Sequence, residues 1–532
     1  MIRSGSIPSS VHSTLERSAE RFANRVCIAF ENHVYSFTQI DDLSSRFANV
    51  LIKEGIDDGD RIACFLPSSP QFAVTYYGAL KTGAVVTPID HRYRQNEVRF
   101  QIIDSGAKYL VTLDELWEKL GSSIADVGLS KVFLTSLGNV QEFGKSARET
   151  PKDSHGLRTE DLSSALANSD RIDQSRSLNP FTHLAALPYT TGTTGPSKGV
   201  MLTHFNLLAS QYQFNHALSN KEGVETAIVL FPFSHIGGLN AALGTLVNSA
   251  STVVAFEKFD AKKVLAAVDM YRPTLFYGVP TAYVALMSND GQLGSVDFSS
   301  IRCAISSGAP LPPEVKTKFA QRTGIRIMDS WGMTESSPVL TCSPMGAIKP
   351  NLIGFPVLET EVKVVDIAHQ DVFMPIGEVG ELVARGPQVM KGYWKSADAT
   401  SQTIVNGWLH TGDLGYMDED GSFYYIDRKK DIINVGGLKV WPSEVEGVLY
   451  ECPSVSEVVV GSESDQYYGE VVTAWVVLKS GYDQLQEEKI LKEYCISKLA
   501  RYKVPNRINF VTEIPKSPVG KLLRRAFRQS GS

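Results

Sequence analysis

Between Arg61 and Leu113 short apolar, β-branched runs alternate with helical patterns. "RIACFLP" (61–67) is followed by "QFAVTYYGALKTGA" (71–84), "VVTPID" (85–90), "RQNEVRFQIIDSGA" (94–107) and "KYLVTL" (108–113). Strand, helix, strand, helix, strand at such intervals predicts parallel α/β layering. The polar stretch 162–180 reads as a connection. The alternation then resumes in "TAIVLFPF" (226–233), "STVVAF" (251–256), "TLFYGVP" (274–280) and "RCAISSG" (302–308). After about residue 350 strands and turn signals crowd together in "TEVKVVD", "GELVARG" and "WLHTGDLGYMDEDGSFYYID", which predicts a β-rich subdomain. Beyond "DRKKD" (427–431) the chain has its own strands, "VSEVVVG" and "VTAWVVL", and an amphipathic helix in 485–502. The expected fold class is α/β: a large N-terminal domain, 1–427, of α/β layers plus a β-rich subdomain, and a small α+β C-terminal domain, 428–532.

Composition narrows the function classes. A chain of 532 residues with 43% hydrophobic and 21% charged positions is globular, and a net charge of −6 gives no general footprint for nucleic acid. The tail "KLLRRAFRQSGS" carries four positive charges and reads as a solvated basic end. Thr226 to Phe256 contains no Asp, Glu, Lys or Arg and is long enough for a membrane span. Pro232, His235, Gly237, Gly238, Asn240 and Gly244 interrupt it, so buried strands and a helix are expected, with no transmembrane segment. The six cysteines are scattered without a close pair, which fits a reducing compartment and a structural role. The N-terminal stretch lacks the apolar core of a secretory signal, and the expected location is cytoplasmic. Oligomeric state is not legible.

The densest chemistry lies in "LPYTTGTTGPSKGVMLTH" (187–204). Glycines let backbone N–H groups turn toward an anion, while hydroxyls and Lys198 add donors and charge. A P-loop would need Gly-Lys-Ser/Thr; here Ser197 precedes Lys198 and Gly199 follows it, so that motif fails. The stretch closely resembles the phosphate loop of the adenylate-forming superfamily, which contains acyl-CoA and aryl-CoA synthetases, firefly luciferases and peptide-synthetase adenylation domains. The resemblance continues in order through "DSWGMTESSP" (329–338), "GELVARGPQVMKGYW" (380–394), "WLHTGDLGYMDEDG" (408–421), "YIDRKKDIINVGGLKVWPSEVE" (425–446) and "PKSPVGK" (515–521), and extends upstream into 63–90. Trp331 departs from the tyrosine usual before the glycine, which keeps a stacking ring and loses a phenolic hydroxyl.

The resemblance implies two half-reactions. A carboxylate attacks the α-phosphorus of ATP, releasing pyrophosphate and an acyl-adenylate; a thiol, usually that of coenzyme A, then displaces AMP. It implies that Thr190, Thr191, Gly192, Thr193, Thr194 and Lys198 grip the β- and γ-phosphates. Glu335 would hold Mg²⁺, a hard cation that prefers oxygen, beside Thr334. Asp413 would accept the ribose hydroxyls, with Arg428 reaching the same sugar. Ser307, Gly308, Ala309, Asp329 and Trp331 would line the adenine slot. Lys521 is the implied catalytic lysine, bridging carboxylate and α-phosphate, with Lys516 a nearby decoy. Lys430 falls at the hinge about which the small domain would rotate, presenting Gly436 and Gly437 to the pantetheine arm. Lys439, Tyr502 and Lys503 are candidates for the coenzyme A phosphates.

His235 in "FPFSHIGGLN" corresponds to the histidine that acyl- and aryl-CoA ligases carry beside the carboxylate pocket. Peptide-synthetase domains place an aspartate in this region to bind an α-ammonium; none occurs between Thr226 and Phe256. The other pocket segments, "YGVPTAY" (277–283) and "GMTESSPVL" (332–340), are apolar or small apart from Glu335. The expected substrate is therefore a small-molecule carboxylic acid with an apolar body, fatty or aryl. The leading expectation is an acid–CoA ligase. A carrier-protein thiol as acceptor, luciferase-like oxidation, and a nucleotide-binding relative without activity are the alternatives; the joint presence of Lys198, Glu335, Asp413, Arg428 and Lys521 argues against the last.

Overall fold

Helix Pro70–Lys81 lies within the first alternating stretch, and its start is built locally. Ser69 is its N-cap, accepting from Phe72 N–H, with Pro70 in the first turn. Every residue of this helix is buried, which explains an apolar pattern running all the way round it. It is flanked by strands Arg61–Phe65 and Val85–Pro88, then helix Gln95–Ser105 and strand Ala107–Leu113, as the periodicity predicts. Gly106, at φ +65, ends the second helix in the left-handed region.

The structure is a computed structural model describing residues 8–138, 143–145, 156–190, 197–288, 293–515, 524 and 527. It divides into two compact units. The first comprises Met1–Pro350, Gly354–Glu361 and Ala384–Leu409; the second comprises Asn351–Ile353, Val362–Val383 and His410–Ser532.

The first unit holds two layers. In one sheet the strands Ile327–Gly332, Cys303–Ser307, Leu275–Gly278, Thr226–Val229, Thr252–Ala255 and Val26–Phe30 lie side by side and parallel. In the other, Val85–Pro88, Arg61–Phe65, Ala107–Leu113, Lys131–Thr135 and Thr159–Asp161 run parallel, with Lys198–Thr203 entering antiparallel beyond Leu184–Ala186. Buried residues such as Phe47, Phe72, Tyr76, Phe133, Phe214 and Phe233 form one continuous core through this unit.

The stretch 162–180 is not purely a connection. Leu162–Ala167 is helical, with Asp161 Oδ1 accepting from Ser164 N–H at 2.8 Å and both Leu162 and Leu166 buried. The uncharged Thr226–Phe256 resolves into strand Thr226–Val229, a π-helical segment Gly237–Gly244 running into helix Thr245–Asn248, and strand Thr252–Ala255. Among the described residues no helix is long and apolar enough to cross a membrane.

In the second unit the part of strand Trp408–Met417 from His410 onward pairs antiparallel with Phe423–Arg428 through Asp413↔Arg428 and Tyr416↔Tyr424. A further sheet is ordered Leu438–Val440, Ile433–Val435, Gly469–Leu478, Val455–Asp465, with Arg507–Phe510 parallel to Gly469–Leu478. Helices Pro442–Tyr450 and Gln484–Lys498 cover it around Val445, Leu449, Val458, Val476, Leu491 and Cys495.

Candidate active site

Strand Tyr189–Thr190 pairs antiparallel with Lys198–Thr203, placing Thr190 opposite Lys198 and Tyr189 opposite Gly199. Thr190 and Lys198 thus face one another across this strand pair, at the two ends of the Gly/Thr-rich stretch in sequence. Thr191, Gly192, Thr193 and Thr194 lie outside the described residues. Ser197 Oγ donates to Thr190 O at 2.6 Å and closes the base. On the outer side the Tyr189 hydroxyl donates to Asp104 Oδ2 at 2.6 Å.

Glu335 sits in the one-turn 3₁₀ helix Thr334–Ser336 and is 5% exposed. Its Oε1 accepts from the Tyr393 hydroxyl at 2.6 Å, and its carbonyl accepts from Met390 N–H at 2.8 Å. Lys198 Nζ lies 5.5 Å from the centroid of that same tyrosine ring. The turn needs Gly332, because a Cβ there would stand 1.8 Å from Pro338 O. Beyond the turn, buried Asn240 donates to Ser337 O at 2.7 Å and to Leu207 O at 3.1 Å, tying the π-helical segment to the motif.

His235 lies just before that segment, partly buried, with Nδ1 accepting from Gly237 N–H at 3.3 Å. Ser307, Gly308 and Ala309 end the strand Cys303–Ser307, and Asp329 and Trp331 lie on its parallel neighbour. Ligands in parallel α/β sheets gather at such carboxyl ends. Ser307 Oγ donates to Ser330 O at 2.9 Å, and Gly308 takes φ +91. Asp329 is ion-paired with Lys316; burial pushes its carboxyl above the usual range, with the lysine opposing.

In the second unit Asp413, 4% exposed, meets Arg428 across the strand pair, Arg428 Nε to Oδ1 at 2.9 Å. The expected ribose pair is thus brought together. Lys430 lies in the short turn Lys429–Asp431. Gly436 and Gly437, at φ +56 and +88, form the hairpin between Ile433–Val435 and Leu438–Val440, and Lys439 beside them is exposed. Lys503 is less suited to coenzyme A phosphates than expected, since its Nζ meets both oxygens of Glu444 at 2.7 Å. Tyr502 packs against the core of this unit. Lys521 lies outside the described residues.

Two groups escaped the sequence reading. Glu381, 3% exposed, accepts from Gly412 N–H at 3.1 Å and is paired with Lys429 Nζ at 3.0 Å and His410 Nδ1 at 3.3 Å. Burial works against its charge, but His410 and Lys429 outweigh that and hold its carboxyl below the usual value. Arg524 corrects the expectation of a solvated tail. Its guanidinium lies 2.6 Å from Glu446, 3.4 Å from Asp427 and 3.6 Å from Asp431, and those carboxylates raise its pKa against the cost of burial. No spacing rule links residues this far apart.

The sequence matches the AMP-binding enzyme family over residues 15–394 and the AMP-binding enzyme C-terminal domain over 444–521. The chain belongs to the AMP-binding enzyme family. Among similar proteins is a long-chain-fatty-acid–CoA ligase of Bacillus subtilis, 36% identical over 97% of this chain and 93% of that protein. A 4-coumarate:CoA ligase 1 of Petunia hybrida is 31% identical over 97% and 93%. Among solved structures, the ATP-bound MatB of Rhodopseudomonas palustris superposes with a TM-score of 0.86 at 27% identity, covering 98% of each chain. An o-succinylbenzoate CoA synthetase of Bacillus subtilis, solved with its acyl-adenylate, gives 0.82 at 26%, covering 97% and 98%. The expected fold class, α/β with a smaller C-terminal domain, and the expected enzyme class, an AMP-forming acid–CoA ligase, both stand on these matches for this AMP-binding enzyme.

Proposed function

We propose that this AMP-binding enzyme is a cytoplasmic ligase that activates a long-chain fatty acid as its acyl-adenylate and passes the acyl group to coenzyme A. The observation that carries the reading is the cluster on buried Tyr393, whose hydroxyl bonds Glu335 and whose ring lies 5.5 Å from the Lys198 ammonium. A cation and an oxygen donor held that close suit a polyphosphate with its metal. The relatives named as long-chain-fatty-acid–CoA ligases, 36% and 34% identical against 31% for the 4-coumarate:CoA ligase, support the fatty acid over an aryl acid.

The donor set fits Mg²⁺. Glu335 supplies one buried carboxylate, and a hard, strongly hydrated cation takes its remaining ligands from phosphates and water. Bound there, Mg²⁺ neutralises charge on the polyphosphate. Thr190, Thr191, Gly192, Thr193, Thr194 and Lys198 bind the phosphates; Asp413 and Arg428 hold the ribose; Ser307, Gly308, Ala309, Asp329 and Trp331 line the base. His235 orients the carboxylate of the acid. Lys521 draws carboxylate and α-phosphate together. Rotation about Lys430, at the junction of domains 1–427 and 428–532, then withdraws it and brings Gly436–Gly437 to the thioester step.

Pyrophosphate release over a panel of fatty acids of increasing length and of aryl acids, with and without coenzyme A, tests the reading. The highest kcat/KM should fall on long-chain acids, with an acyl-CoA product. A preference for aryl acids overturns the substrate, and turnover only with a carrier protein overturns the acceptor.

A further inference from the structure

We infer that Tyr393 is a positioning residue for adenylation, fixing the Glu335 carboxylate and the Lys198 ammonium relative to one another. The inference rests on the proposed roles of those two residues. Tyr393 is 8% exposed and belongs to the two-residue strand Gly392–Tyr393, paired with the strand that begins at Lys198 through Val200↔Tyr393 and Met201↔Gly392. Its neighbours are laced to both sides of the site. Met390 N–H donates to Glu335 O, Lys391 N–H to Met201 O and Trp394 N–H to Gly199 O, at 2.8, 3.0 and 2.8 Å. Tyr393 N–H itself donates to Thr400 Oγ1 at 2.8 Å. The ring therefore has little freedom.

From that fixed ring the hydroxyl reaches Glu335 Oε1 at 2.6 Å, a charge-assisted bond that selects one orientation of the carboxylate. The ring itself stands 5.5 Å from the Lys198 ammonium, within reach of a cation–π attraction. Glu335 and Lys198 come from separate segments, and each could adopt several rotamers alone. Tyr393 removes that freedom before ATP arrives, which is preorganisation of the site.

The test uses the full-length enzyme and three substitutions, Tyr393→Phe, Tyr393→Leu and Glu335→Gln. Pyrophosphate exchange is measured against Mg²⁺ at fixed ATP, ATP binding by calorimetry with and without Mg²⁺, and folding by thermal melting. Y393F keeps the ring and loses the hydroxyl. It should weaken MgATP binding about tenfold, the scale of one lost charge-assisted hydrogen bond, while metal-free ATP binding stays parental. Y393L should weaken metal-free ATP binding as well. In the E335Q background Y393F should add little, because the carboxylate it orients is gone. Parental MgATP affinity in Y393F, or a lowered melting temperature as its only defect, overturns the proposal while leaving Glu335 in place if E335Q is impaired. Unchanged Mg²⁺ dependence in E335Q overturns the metal reading of Glu335 and this proposal with it.

Discussion

Asp413→Ala is expected to weaken ATP by about 30- to 150-fold, and the figure follows from the geometry around the carboxylate. Two ribose hydroxyls donating to a charged acceptor are worth about 1.5–3 kcal/mol each. Oδ1 is engaged by Arg428 Nε at 2.9 Å, so one of the two bonds replaces an existing interaction. The net loss is then about 2–3 kcal/mol, and each 1.4 kcal/mol is tenfold. Arg428 keeps 31% side-chain exposure and regains water when its partner is removed, which limits the cost to folding. The ATP KM in pyrophosphate exchange is the assay, run with ATP and with 2′-deoxy-ATP. The parental enzyme should discriminate between the nucleotides and the alanine variant should not; D413N, which keeps one neutral acceptor, should fall between. An alanine variant with an ATP KM within about twofold of parental, or a parental enzyme blind to the 2′-hydroxyl, removes Asp413 from the ribose site.

Lys521→Ala should lower adenylation by orders of magnitude and leave acyl transfer from supplied acyl-adenylate largely intact; equal damage to both half-reactions refutes that division. Lys430→Pro should do the reverse, because proline fixes φ near −65° at the proposed pivot, and parental rates in both steps place the pivot elsewhere. His12 and His204 are both held down to about 3 by burial, with Lys81 adding to the effect at His12 and His12 at His204. Their folded pKa lies below the unfolded value of about 6.5, so the unfolded chain binds more protons between those limits and stability falls as pH drops from about 6.5, by up to about 1.4 kcal/mol per pH unit for each histidine. Melting temperature should be level above pH 7 and slope below 6.5, with His204→Gln reducing the slope; a slope unchanged in that variant excludes His204 as a source.

The fold was legible wherever local pattern and tertiary demand agree. The run from Arg61 to Leu113 alternates because parallel strands are buried on both faces and their crossover helices must return over the sheet. The helix Leu162–Ala167 was missed because its only signals are Asp161 as cap and two leucines one turn apart, too few for a periodicity to emerge from a polar stretch. Thr226–Phe256 was readable as non-spanning because prolines and glycines interrupt it. Its helix opens as a π-helical segment in which Asn240 bonds across helices, Gln211 Nε2 to Asn240 Oδ1 at 2.8 Å, a contact no local pattern records.

The candidate site divides along the same line. The residues proposed to meet ATP lie in short motifs, since a phosphate cradle is local chemistry made from neighbouring backbone groups. The residues that hold those motifs still are remote in sequence, because rigidity comes from elements that cross. Tyr393 is 58 residues from Glu335 and reads in isolation as one aromatic in an apolar run. Arg524 makes the point most sharply. In sequence it is one of four positive charges in a basic tail, for which solvation is the ordinary expectation. In the fold its guanidinium faces Glu446, Asp427 and Asp431, one cation against three carboxylates. Burial raises the Glu446 carboxyl despite its arginine, with a smaller push from Asp427. Asp427 also accepts from Arg428 N–H and Ser443 N–H, both at 2.8 Å, so a single buried carboxylate joins the end of strand Phe423–Arg428, the start of helix Pro442–Tyr450 and the C-terminal tail. A cation placed at that node cannot be exchanged for an apolar residue without leaving the carboxylates uncompensated, which is why its removal should cost far more than a tail lysine or arginine ordinarily does.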